Sequence, residues 1–101
     1  MSRRLQLHEI LVNVLGSRNV YFQPPSNIKM QYPCILYKRN TLDTRHAADK
    51  VYNNQVGYMV TVIDANPDSE IPGKLLELPS CRFDRHYTAD NLNHDVFNIF
   101  Y

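Results

Sequence analysis

The run Val56 to Asp64 (VGYMVTVID) narrows the possible folds more than any other stretch of the sequence. Val56, Tyr58, Val60 and Val62 alternate with Gly57, Met59, Thr61 and Ile63, so a strand here offers apolar side chains to both faces of its sheet. Such a strand belongs at the centre of a sheet, with cover on both sides. One face calls for a helix. The other calls for a second helix, a second sheet or a neighbouring subunit.

The other elements follow from local signals. Residues 2 to 16 read as a helix: Ser2 suits the cap, Leu7, Ile10, Leu11, Val14 and Leu15 share one face, and Gly16 suits a left-handed stop. Leu5 and Val12 form a second, narrow stripe, which lies either at the edge of the core or against another subunit. Asn19 to Gln23 (NVYFQ) forms a short strand, broken by Pro24-Pro25-Ser26-Asn27. Tyr32 to Tyr37 (YPCILY) forms another, with Pro33 confined to its beginning or to an edge.

Lys38 to Gln55 (KRNTLDTRHAADKVYNNQ) is the longest polar segment. Either it extends the flanking strands into a projecting hairpin, or it stays disordered until bound. Loops of this length in small domains usually carry function. Asn66-Pro67-Asp68-Ser69 then turns into a second helix, capped by Ser69 or Asp68, with Pro72 in its first turn and Pro79 at its end. Ile71, Leu75 and Leu78 share its apolar face. Cys81–Thr88 and His94–Tyr101 are the last two strands, joined by the turn Asp90-Asn91-Leu92-Asn93.

The order α-β-β-β-α-β-β predicts an α+β fold with one mixed or antiparallel sheet and two helices. The 101 residues suffice for a single domain, 1–101, with a long polar loop at about 38–55. A net charge of +1 supplies no general field for nucleic acid or an anionic membrane. No apolar run approaches membrane-spanning length. The stretch after Met1-Ser2-Arg3-Arg4 is interrupted by Gln6, His8, Glu9 and Asn13, the pattern of an intracellular chain rather than a signal peptide.

Chemistry-bearing residues are few. Cys34 and Cys81 both fall in predicted strands and read as small buried hydrophobes. His86 and His94 flank a turn, with Asp84 and Asp95 close by, but no HxxxH or CxxC spacing supports a metal site. Cys34 with either histidine is conceivable as a nucleophile and base, although an apolar strand raises a thiol's pKa. The three glycines are not spaced to cradle phosphate. The expectation is therefore a chain that is not an enzyme and takes no cofactor or metal. Tyr37-Lys38-Arg39 and Arg82-Phe83-Asp84-Arg85 interleave aromatic and basic residues, which leaves a small nucleic-acid-binding module open.

The apolar excess points elsewhere. Besides Val56–Asp64, the last strand alternates Val96/Phe100 with Phe97/Ile99/Tyr101, so both its faces are apolar too. Two short helices cover one side of such a sheet. The other would be a large apolar patch on a monomer, and assembly with identical copies would cover it. Burial logic alone assigns Leu5, Val12, Phe97 and Tyr101 to a subunit interface. In the polar segment, Lys38, Arg39, Thr44, Arg45, His46, Asp49 and Lys50 are the candidate docking residues.

Nearly the whole chain resembles the tail terminator or tail completion (head–tail joining) proteins of long-tailed bacteriophages. The resemblance runs from LHEILVNVLG through NVYFQPP, YPCILY and VGYMVTVID to DSEIPGKLLELP and FDRHYTADNLNHDVFNIFY. It implies a ring-forming structural subunit, commonly six copies, at the head-proximal end of the tail tube. Such a ring ends tube growth and joins the tail to the head connector or stopper protein, and DNA passes through its lumen without specific binding. The implied location is the head–tail junction of the virion, with assembly in the host cytoplasm and no membrane partner. Another neck or connector component of the same junction is the alternative.

Overall fold

The computed structural model describes residues 3–47 and 50–101, with side chains outside 41–55. The chain runs α1 (Arg3–Leu15), β1 (Val20–Phe22), β2 (Cys34–Ala47), β3 (Lys50–Asp64), α2 (Ile71–Leu76), β4 (Cys81–Ala89) and β5 (Leu92–Phe100). This is the expected element order in an α+β fold. The five strands form one mixed sheet in the order β1-β2-β3-β5-β4, and only the β1–β2 pair is parallel. β3 is thus the central strand, as its two apolar faces require.

Both helices lie on one side of the sheet. Leu7 and Leu11 of α1 and Leu75 of α2 pack with Ile35, Tyr37, Tyr58, Val60, Val62, Phe97 and Ile99 in a single buried cluster. The register aligns these strand residues across the sheet, Tyr37 opposite Val60 and Val60 opposite Phe97. α1 stops where Gly16 turns left-handed, at φ 83°, while its N–H still reaches the Val12 carbonyl at 2.8 Å. Ser2, the expected cap, lies outside the described residues. α2 is shorter than its apolar spacing implies. Glu70 occupies the capping position without a side-chain bond, and Ser69 instead accepts the Ile71 N–H at 3.3 Å.

A polar contact pins α1 to the sheet. Tyr37 Oη lies 2.7 Å from His8 Nδ1, and Arg4 reaches the same oxygen at 3.5 Å. With a neutral imidazole protonated on Nε2, the hydroxyl accepts from Arg4 and donates to His8 Nδ1. Burial lowers the His8 pKa below 6.5; Glu9 opposes the shift, while Arg4 and Arg18 add to it. The unfolded chain therefore binds this proton more readily than the folded one. Stability is intact above about pH 6.5 and declines as pH falls through that value. Urea melts at about pH 7.5 and pH 5.5 should show a larger loss for the native chain than for His8→Gln. An equal pH dependence in the two proteins would contradict this role for His8.

The β4–β5 turn is tighter than the four-residue turn expected. Ala89 pairs with Leu92, so only Asp90 and Asn91 lie between the strands, at φ 54° and 62°. Two successive positive φ values are the mark of the primed turn that matches strand twist. Asn tolerates this region and a β-branched residue does not. Asn91→Val should cost about 1–2 kcal/mol in a denaturant melt. No loss would contradict the turn geometry.

Candidate functional site

The polar segment is a hairpin, one of the two alternatives that its sequence leaves open. β2 and β3 stay paired out to Ala47 opposite Lys50, with register irregularities between Arg39 and Thr41 and between Thr44 and His46. β1 supports β2 only as far as Tyr37, and β5 supports β3 only from Gly57 onward. Val56 is still held, its carbonyl accepting the Tyr101 N–H at 3.1 Å, so among the described residues the outer ribbon, 40–47 with 50–55, has no lateral neighbour strand. At about 3.3 Å per residue, its β3 residues, 50–55, extend about 20 Å beyond the sheet. The long molecular axis of 47 Å, against 24 and 23 Å for the other two, reflects this projection. Thr44, Arg45, His46 and Lys50 belong to the ribbon; Asp49 lies outside the described residues. Lys38 and Arg39 sit at its base, where the Arg39 N–H donates to Gln23 Oε1 at 3.2 Å.

The second candidate surface is the sheet face opposite the helices. Neither helix covers it. The β1–β2 connection crosses part of it, where the Gln31 N–H donates to Tyr21 Oη at 3.4 Å. Beside that connection lies a groove of about 530 Å³. Leu36, Met59, Thr61 and Val96 line it, with Lys38, Arg85 and Tyr87 around them and Gln23 and Pro24 at one end. The exposed Tyr87 ring is stacked on His94 at 4.7 Å and 15°.

A bulge sets the charge of this face. Phe83 opposes Phe97 and Arg85 opposes Val96, so Asp84 is an extra residue in β4. In a regular strand, residues 82 and 85 would point to opposite sides. The extra residue brings Arg82 and Arg85 to the same side, together with Lys38. Asp84 offsets part of this charge through a 2.8 Å pair with Arg85.

The two-residue turn, which pairs Ala89 with Leu92, separates the two histidines. His86 opposes Asp95 and bonds it at 2.7 Å, while His94 opposes Tyr87 on the other face. The hairpin thus does not bring His86 and His94 together. Among the described residues, no group of three His, Cys, Asp or Glu side chains is placed to hold a metal ion. Burial pushes the Cys34 thiol up to about 11, with Asp64 adding to the effect, and burial alone pushes Cys81 up to about 11. A thiol held protonated at neutral pH is a poor nucleophile.

The predicted interface residues separate. Phe97 is fully buried under the helices and edge-on to Phe83 at 5.5 Å, so it belongs to this chain's own core and not to a subunit contact. The alternation of β5 allowed either face to turn inward. Phe97 and Ile99 face the helices, leaving Val96 on the other side. Tyr101 packs at the core's edge, with Arg3 over its ring at 5.0 Å and its hydroxyl donating to Gln6 at 3.4 Å. Val12 also packs against the core, whereas Leu5 is exposed. Of the interleaved aromatics, Tyr37 is buried, and Phe83 is half exposed beside Phe97.

No family model matches this chain, and no curated protein or solved structure matches it either. No helix among the described residues is long and apolar enough to cross a membrane.

Proposed function

We propose that this chain is a structural subunit that assembles into a ring at the head-proximal end of a phage tail tube. The ring ends tube growth and presents a surface for the head connector. The observation that carries the reading is the one-sided cover of the sheet. Two helices bury one face, and the other keeps a groove with an aliphatic floor beside an unsupported ribbon. An isolated two-stranded ribbon is marginal in water, which fits an element completed by a partner. The sequence pattern, with its resemblance to tail terminators, supplies the identity of that partner.

Mechanistically, the ring acts by shape. One face of a closed ring matches the last tube ring, and the other does not accept a further tube subunit. The ribbon is the docking element, and the sheet and helices hold its base. A near-neutral chain lets DNA pass through the lumen without strong binding. The purified chain, added to polymerising tail-tube protein, should bind one end of each tube and stop its growth. Tubes that elongate at the same rate with and without the chain would contradict the reading.

A further inference from the structure

The open side of the sheet and the α2 segment on its other side are complementary in charge. On the open side, Lys38 and Arg85 flank an aliphatic floor that includes Leu36, Met59 and Val96, and Arg82 lies on the same face. On the helix side, the segment from Asp64 to Glu77 carries Asp64, Asp68, Glu70 and Glu77 against a single lysine, Lys74. Among the described residues, the carboxylates of Asp68, Glu70 and Glu77 make no ion pair. Beside Glu77 stands Leu76, a large aliphatic side chain that is 50% exposed at the end of α2.

We infer that the groove receives the acidic α2 segment of a second copy of this chain, with Leu76 seated on the aliphatic floor and the carboxylates against the basic rim. The inference rests on the ring reading and names the contact that builds the ring. Groove and α2 lie on opposite sides of one sheet. The contact therefore joins unlike surfaces, and repetition of one such contact generates a ring when the rotation closes.

The sheet edges make the alternative route, strand-to-strand pairing, unfavourable. β1 is only three residues long and runs into Pro24-Pro25. β4 carries Arg82, Asp84 and Arg85 together with its bulge. Short, charged and bulged edges resist pairing. Single-stranded nucleic acid is a poorer fit, because bases need exposed aromatic platforms. Among the described residues that line the groove, Tyr37 is buried and the exposed Tyr87 is already stacked on His94.

Charge reversal tests the inference. One variant carries Lys38→Glu with Arg85→Glu, and the other Glu70→Lys with Glu77→Lys. All four positions are exposed, so circular dichroism of dilute samples should match the native chain. In sedimentation, the concentration for half-assembly should rise about tenfold or more for each variant alone, because like charges then meet. An equimolar mixture should assemble again, since every contact between unlike variants restores opposite charges. Native rings with variants that assemble equally well would overturn the groove contact and leave the ring standing. Impaired variants that are not rescued by mixing would also overturn it. A native chain that stays monomeric, even with tail tubes present, would overturn the ring and the contact together. Binding of an oligothymidylate that is lost in the groove variant, with assembly unchanged, would make the groove a nucleic-acid site and overturn the inference.

Discussion

Replacing Phe97 with aspartate is expected to leave no folded protein. Phe97 is fully buried, opposite Val60 in the central part of the sheet and edge-on to Phe83. A carboxylate there would sit among Tyr37, Val60 and Ile99 with no cationic partner in the cluster. Removing an ionised group from water without a partner costs several kcal/mol at least. Loss of the ring adds about 3–5 kcal/mol, the usual cost of truncating a buried aromatic residue. Small domains are stable by about 5–15 kcal/mol in total. Phe97→Ala should therefore fold with a lower urea midpoint, and Phe97→Asp should lack a cooperative transition. A Phe97→Asp chain that melts like the native one but fails to assemble would contradict the packing, because it would place Phe97 on the surface.

Shortening the ribbon should have the opposite signature, with folding retained and joining lost. Asp43 opposes Gln55, so replacing residues 44–54 with Asn-Gly closes a two-residue hairpin in register. The cut removes backbone that pairs only with itself and leaves every β1 and β5 contact in place. The melting temperature should stay close to that of the native chain. Particles supplied only with the shortened protein should show finished tails beside full heads, and infectious titre should fall to background. A normal titre would show that the ribbon is not the docking element.

The contrast between these two regions marks what the sequence could reveal. Val56–Asp64 was legible because apolar residues at alternating positions leave a strand few other places to go, and it is indeed the central strand. Gly16 was legible because few residues accept its backbone geometry. The outer ribbon was not, since Lys38 to Gln55 lacks the apolar alternation that signals a strand, and its visible order lies in backbone pairing. The β5 faces were ambiguous for the reverse reason: Val96 and Phe97 are both apolar, and only helix placement decides which turns inward. The β4 bulge has no residue signature of its own. Yet that single extra residue puts Arg82 and Arg85 on one face. The basic groove could therefore be found only once the register was in hand.

On the proposed function, this chain caps the tail tube and joins it to the head. Electron microscopy of particles produced without the chain tests it most directly. Overlong tails, or finished tails beside unattached full heads, are the expected result. Tails of normal length with leaking, empty heads would place the chain in the connector instead. Wholly normal virions would contradict the account.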